Sequence, residues 1–271
     1  MSSLSLLRWS LKLDVELLID VPNLPIGGRF GFILKKYLFF LRDRLVKRDN
    51  FCEARVFGRT YRYNDRFGLG SLQRVYCSSW KLNVILPKRP VVVDVGANLG
   101  QFNLFCRHYL NADRVISIEP VPSCYQLLLE NAERPSDCIN ALVTVDERET
   151  FFYVARDSQL SSTIRNENVS YCEEVPLTGI SLDRLLEERD IVRVDLLKID
   201  TEGSELEVLR SAEQLLKKTR VVLVEMSIFR ENSGDMFAVG SFLESQGFRL
   251  HELIVANGTH PADADGIFVR Q

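Results

Sequence analysis

Residues 91–100 read VVVDVGANLG. An apolar run around a single acid suits a strand buried on both faces of a parallel sheet. The turn Gly96-Ala97-Asn98-Leu99-Gly100 follows at once, and its glycines suit a tight bend into a helix, predicted over 102–109. A second strand, at 114–119, ends on Glu119, 23 residues after Gly96. Open α/β sheets bind ligands beyond the carboxyl ends of their strands, so the loop and the acid mark one rim.

Working outward, strands are predicted at 139–145, 196–200 and 221–225, with closing strands at 249–255 and 266–269 and an edge segment at 151–154. Helices are predicted at 125–133, 182–188, 205–218 and 236–246. This alternation predicts an α/β fold with a doubly wound, Rossmann-like, mostly parallel sheet over 91–271.

Residues 1–90 read as a separate basic extension or cap. They hold 17 Lys/Arg against 7 Asp/Glu, leaving 17 against 30 for the remainder of a chain whose net charge is −3. Pro22, Pro25, Gly27 and Gly28 punctuate 1–28, which reads as irregular or weakly helical. In 29–48, Ile33, Tyr37, Leu38, Leu41 and Leu45 recur at helical spacing among basic residues. Such a stripe either packs on the core or makes peripheral contact with an anionic membrane. A hairpin turning at Gly58 is expected over 51–67 and a helix over 72–86, with Pro87 and Pro90 at the boundary.

Nothing in the total charge calls for nucleic acid. The six cysteines are irregularly spaced without a C-x-x-C pair, which argues against a disulfide framework or zinc site and for a reducing compartment. No run of about 18 apolar residues exists to span a membrane, and no signal peptide is evident, so a cytoplasmic protein is expected.

The loop departs from the dinucleotide pattern G-x-G-x-x-G, since the glycine that would admit a pyrophosphate is missing. Asp94 precedes it. A carboxylate is unfavourable beside phosphate but favourable beside the ammonium of a methionine moiety. Glu119 is placed to accept from ribose hydroxyls. The expected cofactor is S-adenosyl-L-methionine, ahead of a nicotinamide nucleotide.

The segments DVGANLG (94–100), IEP (118–120), LLKIDTEGSE (196–205) and VLVE (222–225) together resemble the FkbM family of methyltransferases, in order and spacing. The resemblance runs from about residue 56 to the C-terminus and extends to 141–146. It implies a seven-stranded sheet with the last strand antiparallel, and methyl transfer to a hydroxyl of a glycan or secondary metabolite. The cofactor-binding set expected on these grounds is Asp94, Gly96, Ala97, Asn98, Gly100, Glu119, Pro120 and Ala141.

Methyl transfer needs an aligned acceptor and, for a hydroxyl, a base. The acids cluster after the fourth core strand. Lys198 and Asp200 share one face of that strand, and Asp200 and Glu202 are the leading pair for proton abstraction or acceptor positioning. Gly203 allows a tight turn, and Glu205 is expected to cap the next helix. Glu225 either holds the acceptor or pairs with Lys198. Asp200, Glu202 and Glu225 form a possible carboxylate set for a divalent cation, but no ligand count is legible and no metal is assigned. His108 is expected at the surface and His260 in a distal loop. Arg156 and Arg165 flank Ser161-Ser162 in an insertion that reads as an acceptor lid or a solvated loop. The alternatives are an N-methyltransferase and a noncatalytic binding protein on the same fold.

Overall fold

The computed structural model describes residues 3–45, 52–64, 68–155, 160–165, 167, 169–187, 189, 191, 193–228, 235–255 and 263–271. Helices α1 (Ser3–Ile19) and α2 (Ile26–Leu45) precede a hairpin of β1 (Cys52–Val56) and β2 (Arg59–Tyr63), then α3 (Gly68–Ser79) and α4 (Leu82–Ile85). The core begins with β3 (Val91–Val95), α5 (Gln101–His108), β4 (Arg114–Ile118), α6 (Pro122–Asn131) and β5 (Cys138–Ile139). Next come β6 (Leu142–Val143), β7 (Glu149–Ala155), β8 (Tyr171–Ile180) and α7 (Leu182–Glu187). The remaining elements are β9 (Val194–Ile199), α8 (Glu205–Arg210), α9 (Glu213–Lys217), β10 (Thr219–Ser227), α10 (Met236–Ser245), β11 (Phe248–Val255) and β12 (Asp263–Arg270).

Seven strands form the main sheet in the order β11-β12-β10-β9-β3-β4-β5. The five from β10 to β5 run parallel. The last strand, β12, lies antiparallel between β10 and β11. Strand order reverses between β3 and β9, the switch point at which doubly wound sheets open a crevice.

Side-chain alternation sorts the two faces. Val92, Leu196, Leu223 and Ile267 join a core that also holds Leu17, Phe32, Leu72, Tyr76 and Phe105. Val93, Val95, Leu197, Ile199, Val222 and Val224 join the opposite core with residues of α7 to α10. Residues 1–90 therefore share one core with the sheet. Asp94, Lys198, Glu225 and Asp265 have the parity of that first face, so the polar rim lies under the N-terminal elements.

Several expectations change. Residues 3–19 form a regular helix. The signal was obscured because its inward face carries Asp14, buried with Lys36 and accepting from Gln73 Nε2 at 2.9 Å and the Tyr37 hydroxyl at 2.6 Å. The strand expected at 139–145 is split. Asn140 leaves the ladder, and its amide donates to the carbonyls of Glu119 and Pro120. The described part of the insertion is largely strand rather than solvated loop, because β8 pairs antiparallel with β7 and parallel with β6 as a second sheet. Strand β8 carries Pro176 and the adjacent Glu173-Glu174, which hide both alternation and apolar runs. In α2 the expected stripe divides: Ile33 and Tyr37 are half-buried, whereas Leu38 and Leu41 are exposed.

Candidate active site

The loop after β3 is bound chiefly to its own protein. The amides of Gly96 and Ala97 both donate to the Ile118 carbonyl at 3.0 Å, and that of Gly100 donates to Ala97. The Asn98 amide donates to Glu119 at 2.8 Å. A loop whose amides are committed this way makes a poor phosphate cradle, since anion sites need free N–H groups. Gly96 sits at φ +80°, and a Cβ there would lie 1.9 Å from the carbonyl oxygen of Asp200. The glycine thus admits the neighbouring strand's backbone, not only a ligand. Across the same junction the Asp200 amide donates to the Val95 carbonyl at 3.1 Å.

Glu119 is buried at the end of β4, and its second oxygen accepts the Val121 amide at 2.9 Å. Burial pushes its carboxyl up to about 7, against the pull of those two amides. Each oxygen keeps a lone pair for a further donor.

At the end of β9, Lys198 is held 3.3 Å from Asp94 and 3.2 Å from Asp200. Burial works against its charge, but the two carboxylates outweigh it and raise the ammonium above its usual range. Asp94 is fully buried, with no well-directed hydrogen bond to either oxygen, and burial raises its carboxyl. Lys198 is its ion-pair partner, so the pairing expected for Glu225 falls to Asp94 and Asp200 instead.

Carboxylate oxygens of Asp200, Glu202 and Glu225 lie within 4.8 Å of one another. Burial, then repulsion from Asp200 and Glu202, holds the Glu225 carboxyl well above the usual range. Glu225 meets Arg74 of α3 at 3.7 Å, and Asp265 meets it at 3.9 Å. Arg74 was invisible as a site residue, because nothing in the local sequence of α3 sets it apart from the other basic residues of the first 90.

Glu205 is buried and points back over the turn, accepting from the amides of Thr201 and Gly203 at 3.0 Å each and from the Thr201 hydroxyl at 3.1 Å. It fastens the loop that presents Asp200 and Glu202, whereas the N-cap position expected of it is held by Ser204. Glu202 itself takes φ +54°, and Ser162 Oγ donates to its carbonyl at 2.8 Å. The second sheet is thereby tied to the acidic loop.

One cavity joins these groups. Gly96, Ala97, Asn98, Glu119, Pro120 and Ala141 line one side. Lys198, Asp200, Glu202 and Glu225 line the other, with Arg74, Phe152, Ser161 and Asp265 among the added walls. Asp94 and Gly100 are not on the wall: Asp94 lies beneath it, and Gly100, at φ +87°, packs towards Leu128. His108 is half-buried, with its Nδ1 2.9 Å from the Tyr76 hydroxyl and its ring stacked on Phe57. That corrects its expected surface position. His260 and Arg156 lie outside the described residues. Arg165 sits over the Tyr153 ring on the exterior. Cys77, Cys106, Cys138 and Cys172 carry free thiols.

Committed loop amides, a buried acid beyond β4 and an acidic far wall suit a cationic nucleoside better than a pyrophosphate. With the sheet order, they define an S-adenosylmethionine-dependent methyltransferase. The methyltransferase FkbM domain matches residues 94–250, and the chain belongs to that family. It is 26% identical over 198 residues to the methyltransferase sdnD of Sordaria araneosa, covering 60% of this chain and 75% of that protein. The 31-O-demethyl-FK506 methyltransferase FkbM of Streptomyces tacrolimicus is 28% identical over 190 residues, covering 58% and 72%. The hexuronic acid methyltransferase AglP of Haloferax volcanii is 23% identical over 199 residues, covering 69% and 80%.

Proposed function

We propose that this methyltransferase acts on a hydroxyl oxygen of a glycan or secondary metabolite. The observation that carries the reading is the carboxylate trio of Asp200, Glu202 and Glu225 within 4.8 Å, on the rim opposite Glu119. Burial, then repulsion from Asp200 and Glu202, raises the Glu225 carboxyl, while Asp200, held 3.2 Å from Lys198, is placed to take a proton from an acceptor. When bound, S-adenosylmethionine supplies a methyl group on positively charged sulfur, open to in-line attack.

The residues divide the work. Gly96, Ala97, Asn98, Glu119, Pro120 and Ala141 hold the nucleoside, with Glu119 as carboxylate accepting from ribose hydroxyls. Asp94 and Gly100 support the loop from behind. Asp200 and Glu202 orient the acceptor and receive its proton as the oxygen takes the methyl. Lys198 fixes Asp200, and Arg74 keeps Glu225 and Asp265 from repelling their neighbours without compensation. The second sheet walls the acceptor side through Phe152 and Ser161.

A relative named for hexuronic acid and one named for the 31-O position of FK506 support an oxygen acceptor. The irregular spacing of the cysteines, with no C-x-x-C pair, supports a cytoplasmic setting, and no helix among the described residues is long and apolar enough to cross a membrane. The test is transfer of labelled methyl from S-adenosylmethionine to fractionated glycan and metabolite pools, with the product bond read by NMR. A methyl ether is expected. An N-methyl product overturns the oxygen reading, and absence of transfer from every pool overturns the enzyme reading in favour of a binding role.

A further inference from the structure

The helices α1 and α2 form an antiparallel hairpin. Ser10 and Asp14 meet Tyr37 and Lys36, while Leu18 near the turn meets Arg29. One side of this hairpin is buried: Leu13, Leu17, Phe32 and Phe39 face the core. The other side is apolar and open. On α1, Leu7, Leu11, Val15 and Ile19 are 48% to 73% exposed. On α2, Ile26, Phe30, Leu34, Leu38 and Leu41 are 54% to 67% exposed.

These positions form one surface. At about 100° per residue, each row is centred about 100° past the line along which its helix touches the other, in the same rotational sense. In an antiparallel pair that sense carries both rows to the same side, opposite the buried side. A soluble surface rarely leaves so large a contiguous apolar area uncovered without a partner.

Charge selects the partner. Residues 1–50 hold nine Lys/Arg against five Asp/Glu, while the rest of the chain is acidic. Arg8 and Lys12 are exposed on the outer rim of the α1 row, Lys12 lying 3.2 Å from Glu16 on the same helix. The sequence directly after Leu41 reads RDRLVKR and holds four basic residues against one acid. Two copies meeting on this face would set like charges together, whereas an anionic bilayer accepts both the apolar rows and their basic border.

We propose that the outward face of the α1–α2 hairpin docks on an anionic lipid surface. The hairpin lies flat on the membrane, with its buried side fastened to the catalytic sheet by the Asp14, Lys36 and Gln73 network. Lipid contact is thus separate from the cavity chemistry.

Flotation of the full chain with vesicles tests this. Binding to vesicles of phosphatidylcholine with phosphatidylserine is expected, weaker by about tenfold on phosphatidylcholine alone and in about 1 M salt, where screening acts within about 3 Å. The pair L34E and L38E should weaken it about a hundredfold, and L7E with L11E should do the same from the other helix. Melting temperature and S-adenosylhomocysteine affinity should hold in both variants. No binding to anionic vesicles overturns the proposal, as does binding that both variants retain. Sedimentation showing a dimer that the variants dissolve, without vesicle binding, also overturns it and assigns the face to a second copy.

Discussion

At the β3–β4 end of the cavity, polar groups are committed to backbone. The amides of Gly96 and Ala97 close on Ile118, and the Glu119 carboxylate spans Asn98 and Val121. At the β9–β10 end, side chains answer side chains: Lys198 with Asp94 and Asp200, Arg74 with Glu225 and Asp265. A backbone-built half is rigid and holds a constant ligand. A half built from side chains drawn from distant elements adjusts to an acceptor and varies without breaking the fold. The division teaches that cofactor binding and acceptor chemistry should fail independently, except where the two halves touch.

They touch at Gly96, which gives the largest expected effect. Gly96→Ala sets a Cβ against the Asp200 carbonyl at a positive φ. A stability loss of about 3 kcal/mol is expected from the strained backbone and overpacking. Cofactor affinity and turnover should fall together, read by thermal melting and by titration with S-adenosylhomocysteine. A fall in only one of them would break the claim that this contact couples the halves.

Next is Asp200→Asn, expected to lower turnover about a hundredfold or more while S-adenosylhomocysteine affinity holds. Unchanged turnover would remove Asp200 from the chemistry. A smaller effect belongs to pH. The Glu119 carboxyl is raised to about 7 from an ordinary 4.5, so the folded chain holds a proton that the unfolded chain has lost between those values. Stability from this group is full below 4.5 and is lost as pH rises through 7. Ribose binding needs the carboxylate, so S-adenosylhomocysteine affinity should rise about tenfold between pH 6 and 8. Glu119→Gln should flatten that profile. The smallest effect is Arg74→Met, expected to reduce turnover about tenfold through the acceptor half, with S-adenosylhomocysteine affinity unchanged.

The same division explains what could be read from sequence. The rigid half is local: DVGANLG and IEP carry their own turn and acid, so loop, strand ends and Glu119 were legible together. The sheet was legible because strands buried on both faces appear as apolar runs. The acceptor half is not local. Arg74 reaches the rim only because alternation places Glu225 and Asp265 under α3. Ser161 and Phe152 arrive on a sheet whose long strand carries Pro176 and paired glutamates. The helix at 3–19 was hidden by Asp14, an acid on the buried side that makes sense only once Lys36 and Gln73 surround it.

The central claim is that Gly96–Asn98 and Glu119 hold the nucleoside of S-adenosylmethionine in the cavity that Asp200 faces. Calorimetric titration of wild type and Glu119→Ala with S-adenosylhomocysteine, and of wild type with NADH, tests it most directly. Wild type should bind S-adenosylhomocysteine and not NADH, with affinity at least about a hundredfold lower in Glu119→Ala, as expected for two lost charge-assisted hydrogen bonds. Undiminished binding in a folded Glu119→Ala chain, or preference for NADH, would contradict it.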